Sequence, residues 1–327
     1  MGKILVTGAT GFTGTALCRR LINDGHEVVA FIRPTSKTGA LTELGVICKT
    51  VDICDAEAVL DNFTDISKVY HIAAAYRTEH STTETFIKVN VEATRNLLEA
   101  AKQNSIERFI HCSTVGVQGE IDDPPADEEY RMKPGDHYQE SKKDGELLAR
   151  KYFAEEGVTG TVFRPVGIYG PGDTRFLKLF RSIARGVFVM IGSGSVLYHM
   201  TYIDDLVEGI VLCGTHPNAP GEVFTLGGEN YTTLKELVGE VARVLGKQPP
   251  ILRIPYLPVF WASIICDKVC KLAHISPPIY PRRVEFFSLD RAFSIEKARR
   301  LLGYAPKVSL HEGLSRTADW YRENNLI

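Results

Sequence analysis

Tyr138-Gln139-Glu140-Ser141-Lys142 places a phenol and an ammonium four residues apart. On a helix that spacing sets both side chains on one face. A free tyrosine has a pKa of about 10 and is a poor base near neutrality. A nearby cation favours the phenolate and draws that pKa toward the working range. Such a pair can take a proton from an alcohol as it is oxidised, or give one to a ketone as it is reduced. The spacing also arises by chance on amphipathic helices, so its weight depends on what accompanies it.

A glycine-rich turn accompanies it. In Thr7-Gly8-Ala9-Thr10-Gly11-Phe12-Thr13-Gly14 the glycines at 8, 11 and 14 give a GxxGxxG spacing, with Thr10, Phe12 and Thr13 between them. This is a variant of the dinucleotide fingerprint. Glycine permits the tight turn, lets backbone approach a diphosphate and allows close helix packing at the third position. The helix that opens there offers amides and a positive dipole end to phosphate. A turn of this kind can exist without a ligand, but its place at the first strand–helix junction favours binding.

The second strand, Val28-Val29-Ala30-Phe31-Ile32, ends in Arg33, with Ser36 and Lys37 close behind. A carboxylate at that point would accept from the ribose 2′-hydroxyl of NAD. A guanidinium pairs instead with the 2′-phosphate of NADP, so NADP is the expected cofactor and NAD the alternative. A solvated surface arginine is the plainer explanation of the same residue. Asp52, followed by Ile53, is placed to meet the adenine amino group, or is an ordinary strand-end aspartate.

A third catalytic member is expected from the end of another strand. Arg108-Phe109-Ile110-His111-Cys112 runs into the adjacent hydroxyls of Ser113 and Thr114. Either can donate to a substrate oxygen as charge develops there, and either can equally be a polar strand end. Asn90 lies inside a long helical pattern that faces the sheet. It either holds a water or a neighbouring main-chain group beside the catalytic set, or is structural.

These residues need a frame, and the chain alternates strand and helix to supply one. Apolar runs at Lys3–Thr7, Glu27–Ile32, Val46–Thr50, Lys68–Ala73, Arg108–Ser113 and Gly160–Arg164 read as strands. Patterns at Gly14–Asn23, Ala56–Phe63, Thr85–Gln103 and Tyr138–Glu155 read as helices. Val- and Ile-rich runs without polar alternation suit a parallel sheet buried on both faces. The predicted fold class is α/β: a Rossmann-type doubly wound parallel sheet with a smaller, discontinuous C-terminal substrate lobe. The breaker cluster Gly170-Pro171-Gly172 marks the boundary. Residues 1–170 form the expected dinucleotide-binding domain and 171–327 mainly the substrate lobe, with about 196–228 returning to the first. Val223–Leu226 reads as a strand, and Thr232–Leu245 as a helix capped by Thr232 or Thr233 with Glu236 near its start.

With 327 residues, 44% apolar and 24% charged, the chain can bury a sizeable core. A net charge of −2 provides no global field for nucleic acid or an anionic membrane, so neither partner is expected. The seven cysteines, at 18, 48, 54, 112, 213, 266 and 270, show no metal-ligand spacing. No metal is expected, and reduced thiols in a cytoplasmic enzyme are. Cys266 and Cys270 stand four apart on an expected helix with apolar neighbours. The N-terminus carries no secretory pattern and no stretch is long enough for stable membrane insertion. The apolar segment Leu257–Ala273 would ordinarily pack as core or as a dimer surface. It could instead wall an apolar pocket or touch a membrane surface.

Taken in order, these pieces resemble the extended short-chain dehydrogenase/reductase superfamily. They are Thr7–Gly14, Asp52, His71–Ala74, Asn90 with Asn96-Leu97-Leu98, Ser113-Thr114, Tyr138/Lys142, Arg164–Asp173, Tyr202–Asp205, Lys297-Ala298 and Leu302–Pro306. The resemblance implies Tyr138 as acid/base, Lys142 as its activator and ribose ligand, and Thr114 as the catalytic hydroxyl, with Ser113 as alternate. It implies Ala73, Ala74 and Ala75 along the cofactor, Pro165 beside the nicotinamide amide, and a homodimer through paired helices. Many nucleotide-sugar members carry Asn where this chain has Gly167, and Arg where it has Tyr198. Gly167, Arg33 and Leu257–Ala273 look more like the 3β-hydroxysteroid dehydrogenase and dihydroflavonol reductase branch. Arg282 and Arg283 could form an anion site, although adjacent arginines are more often a solvated face.

The expected function is an NAD(P)-dependent oxidoreductase moving a hydride between nicotinamide and a secondary alcohol or ketone of a small-molecule substrate. An NDP-sugar 4-epimerase or dehydratase with retained NAD is the alternative. A dinucleotide-sensing protein without catalysis ranks below both, because the tyrosine and lysine are present.

Overall fold

The computed structural model describes residues 2–76, 82–250, 252–272, 275 and 277–327. Ala273 and the side chains of Arg282 and Arg283 lie outside the described residues.

The first half alternates as its apolar runs require: β1 (Lys3–Thr7), α1 (Phe12–Asn23), β2 (Val28–Ile32), α2 (Gly39–Glu43), β3 (Ile47–Thr50), α3 (Ala56–Asp61) and β4 (Ile66–His71). Then come α4 (Thr83–Ile87), a π-helical turn (Lys88–Glu92), α5 (Ala93–Gln103), β5 (Arg108–Cys112), α6 (His137–Glu155) and β6 (Gly160–Pro165). The second half holds β7 (Gly167–Tyr169), α7 (Leu177–Ala184), β8 (Met190–Ile191), β9 (Leu197–Tyr202), α8 (Ile203–Thr215), β10 (Val223–Leu226), β11 (Tyr231–Thr233) and α9 (Leu234–Val244). It ends with β12 (Arg253–Ile254), α10 (Tyr256–Leu272), α11 (Pro281–Glu285), α12 (Glu296–Leu302) and α13 (Leu310–Glu323).

Seven strands form one parallel sheet in the order β10-β6-β5-β4-β1-β2-β3. The order reverses between β1 and β4, and ligands bind beyond the strand ends at such a switch point. Thr7 pairs with Phe31 on one side and His71 on the other, and His71 pairs with His111, so these strand ends lie level. Leu5, Val29, Val69 and Phe109 are buried on one face of the sheet, and Ile4, Val6, Ala30, Ile110 and Phe163 on the other. Burial on both faces explains why the strands lack polar alternation. α8 packs against α1, β5 and β6, and β10 pairs with β6, so residues after the breaker cluster rejoin the main sheet. A small sheet, β11-β9-β7, builds much of the rest. Thr233, not Thr232, caps α9 in a reciprocal pair with Glu236.

The structure corrects two expectations and narrows a third. The helix expected over Thr85–Gln103 is interrupted at Lys88–Glu92 by the wider π turn, and Asn90 sits inside that turn. Such turns are frequent at functional sites because they re-aim a side chain. The strand expected to reach Ala73 ends at His71, and its next residues leave the sheet toward the cleft. α10 does not pack as core, since Leu257, Trp261, Ile265, Val269 and Leu272 are exposed and only Ser263 and Cys270 are buried. No helix among the described residues is long and apolar enough to cross a membrane.

Candidate active site

The glycine turn is built by close approach. Gly8 has φ +71°, and a Cβ there would stand 2.6 Å from the Ala73 backbone nitrogen. A Cβ on Gly14 would overlap the Gly8 carbonyl oxygen. Only glycine serves at either position. Gly11 begins α1 without a side-chain cap, and the first turn carries no acidic residue. Its first amides therefore remain available to an anion.

A cleft of about 520 Å³ opens over this turn. Gly8, Thr10, Gly11, Phe12, Thr13 and Gly14 line its base, with Arg33, Asp52 and Ile53 at one end and Ala73, Ala74 and Ala75 along one side. Asp52 also accepts from the Cys54 amide at 3.0 Å. Lys37 is exposed and stands outside the lining. Pro165 is buried at the end of β6 and also lies outside it. Sequence reasoning missed Tyr76, Thr85 and Arg175, which line the same space. Tyr76 could have been found as the next residue after Ala75. Arg175 sits in an irregular loop where no periodicity points to it.

A buried hydrogen-bond chain ties the turn to Asn90. The Ala73 amide donates to Thr7 Oγ1 at 3.3 Å, and that hydroxyl lies 2.7 Å from His71 Nδ1. On the other side of the ring, His71 Nε2 lies 2.9 Å from Thr94 Oγ1, which donates to the Asn90 carbonyl at 2.9 Å. An amide starts the chain and a carbonyl ends it, so every intervening proton has one consistent place. His71 is therefore neutral with its proton on Nε2. Burial, reinforced by Lys142, lowers its pKa to about 3.

Asn90 is buried and uses its whole amide. Oδ1 accepts from the Ala75 amide at 2.8 Å, while Nδ2 donates to the Ala75 carbonyl at 3.2 Å and to Ser141 Oγ at 2.9 Å. It joins the cleft wall to the helix that carries Tyr138 and Lys142. Gly145 admits the contact, since a Cβ there would strike the Asn90 carbonyl.

Lys142 is buried, and its Nζ donates to the Cys112 carbonyl at 2.6 Å. Burial lowers its pKa, opposed by Cys112 and Glu146. Ser113 donates to Glu146 Oε2 at 2.6 Å. Arg164 meets the same carboxylate through Nε at 3.0 Å and Nη2 at 2.6 Å, both side chains being fully buried. Thr114 Oγ1 accepts from the Gly116 amide at 3.1 Å, which leaves the Thr114 proton to be donated. Tyr138 packs edge-on against Tyr76 and Phe86, with ring centroids 5.2 and 5.9 Å away. The positions named for sugar-nucleotide recognition are filled differently here. A Cβ on Gly167 would stand 2.8 Å from Met200 Sδ and 3.1 Å from the His199 carbonyl. Tyr198 is buried, and its hydroxyl accepts from Arg291 at 2.7 Å and donates to the Phe286 carbonyl at 3.2 Å.

The main-chain floor, the two glycines without room for a Cβ and the uncapped helix end fit a dinucleotide's diphosphate. Residues 4–227 match the model of the NAD dependent epimerase/dehydratase family. The chain is 31% identical to a 3-beta-hydroxysteroid dehydrogenase of Mycolicibacterium neoaurum, over 99% of this chain and 92% of that protein. It is 30% identical to a 2-alkyl-3-oxoalkanoate reductase of Stenotrophomonas maltophilia, over 96% of this chain and 98% of that protein. Among solved structures, the UDP-glucuronic acid 4-epimerase from Bacillus cereus, in complex with NAD, superposes with a TM-score of 0.77. It is 27% identical and covers 98% of this chain and 99% of its own.

Proposed function

This chain belongs to the NAD dependent epimerase/dehydratase family, and from that premise we propose that it is a net reductase or dehydrogenase of an apolar secondary alcohol or ketone. Bound nicotinamide supplies the hydride donor or acceptor. Tyr138 gives a proton to the substrate oxygen on reduction and takes one on oxidation. Lys142, anchored on the Cys112 carbonyl, supplies the positive charge that favours the phenolate of Tyr138 and a donor for the cofactor ribose. Thr114 donates to the same substrate oxygen as charge builds on it. Arg33 and Ser36 at the adenosine end of the cleft support NADP as the cofactor.

The observation that carries this reading is the surroundings of Tyr138, edge-on to Tyr76 and Phe86. Such surroundings favour an apolar or aromatic substrate. Gly167 and Tyr198, both occupied by packing, speak for the same choice. The reading includes a soluble cytoplasmic homodimer through the outer faces of α5 and α6, where Leu147 is exposed. The test is steady-state turnover of NADPH with apolar cyclic and aryl ketones, using wild type and Tyr138→Phe. Turnover by the wild type and its loss in the variant are expected. Retained turnover in a folded Tyr138→Phe enzyme overturns the assignment.

A second reading, a sugar-nucleotide epimerase or dehydratase with retained NAD, is favoured by the superposition on the UDP-glucuronic acid 4-epimerase. Tightly co-purifying NAD, no net cofactor turnover and UDP-sugar binding would establish it over the first.

A further inference from the structure

The cleft has a second charged wall that the glycine turn does not account for. Residues 170–176 form a strap between β7 and α7 that passes over the start of α1. Gly172 sits where a Cβ would be 3.5 Å from the Phe12 ring, and Arg175 lays its guanidinium over the same ring at 5.6 Å. Phe12 is the first residue of α1, so the cation is held at the mouth of an uncapped helix N-terminus.

The guanidinium is fixed before any ligand arrives. Nε donates to Asp173 Oδ1 at 2.6 Å and Nη2 to the Ile168 carbonyl at 3.0 Å, while the Arg175 amide donates to Asp173 Oδ1 at 3.1 Å. Asp173 is itself anchored, because Tyr321 on α13 donates to its carbonyl at 2.7 Å. The pair is asymmetric: the Asp173 side chain is 2% exposed and that of Arg175 46%. The carboxylate is turned inward and the cation faces the cleft, whose lining includes Arg175. A surface stitch would leave both partners in solvent. This arrangement buries the anion and presents the cation.

We propose that Arg175, held by Asp173 and Phe12, binds the cofactor diphosphate from the side opposite the glycine turn. The ligand class is a nucleoside diphosphate, with the helix amides below it and a planar guanidinium above. Because the strap leads into α7 and is pinned to α13, diphosphate binding would also join the C-terminal lobe to the main sheet. The inference rests on the dinucleotide reading of the cleft.

The experiment is calorimetric titration of the full chain with NADPH, NADH, ADP and adenosine, for wild type, Arg175→Ala, Arg175→Lys and Asp173→Asn, with circular dichroism as the check on folding. In Arg175→Ala the dissociation constants for both dinucleotides and for ADP are expected to rise by about tenfold or more, a change of about 1.4 kcal/mol. Adenosine binding should stay within about twofold, because it carries no phosphate. Arg175→Lys should recover part of the loss through its charge, and Asp173→Asn should show a smaller loss. Folded Arg175→Ala that binds ADP and both dinucleotides as tightly as wild type overturns the inference and leaves the cofactor reading standing. Wild type that binds no dinucleotide overturns the cofactor reading itself.

Discussion

Ser113 gives its hydroxyl proton to Glu146 across 2.6 Å, whereas its neighbour Thr114 spends its oxygen as an acceptor and keeps its proton. Two adjacent hydroxyls thus have different chemistry available. Thr114→Ala should lower kcat by about 10²–10³ with little change in stability, as loss of one donor at a developing oxyanion does. Ser113→Ala should cost about 1–3 kcal/mol of stability by stripping a buried carboxylate of a donor, with kcat changed less than about tenfold. Kinetics and urea titration of the two variants check this, and the reverse ranking would make Ser113 the catalytic hydroxyl.

The Arg164–Glu146 pair is fully buried and joins β6 to α6. Removing one partner strands a charge, so Glu146→Leu should lose about 3–5 kcal/mol. Replacing both with apolar residues should cost much less. Denaturant unfolding of the single and double variants measures the difference.

Asn90→Asp preserves shape but turns a donor into an acceptor facing the Ala75 carbonyl. A loss of about 2–3 kcal/mol is expected, together with weaker cofactor binding as the Ala75 segment shifts. Unchanged cofactor affinity in a destabilised protein would reduce Asn90 to a purely structural residue.

His71 is neutral in the fold, with a pKa near 3 against an ordinary value of 6.5. His111, buried beside it, is lowered in the same direction. A group depressed in the folded state stabilises fully above its unfolded pKa and loses that contribution as pH falls toward the folded one. Between pH 7.5 and 5.5 His71 should therefore remove about 1.4 kcal/mol, and His111 should act in the same direction. Urea midpoints at the two values test this, and a flat profile would mean that the rings accept protons without unfolding.

Arg33→Ala should raise the NADPH dissociation constant by about tenfold or more and leave NADH within about threefold. Equal effects on the two cofactors would remove the argument for NADP.

The fold class was legible because its cause is local. Unbroken apolar strands, 3.6-residue helical patterns and a glycine turn each state their geometry in a few neighbouring residues. The same holds for the turn's ligand class, since Gly8 and Gly14 are positions where no other residue leaves room. Tertiary structure decided what depends on partners far apart in the chain. Ser113 differs from Thr114 only because Glu146 lies behind one of them. Asn90 reaches both Ala75 and Ser141 only because a π turn rotates it out of the expected helical register. Leu257, Trp261 and Ile265 are solvent-facing because no element among the described residues covers that side of α10, and no pattern within the segment announces it. Tyr138 and Lys142 fall between the two cases. Their spacing is written in the helix, but the Cys112 carbonyl that holds the lysine and the rings that flank the phenol come from other elements of the fold.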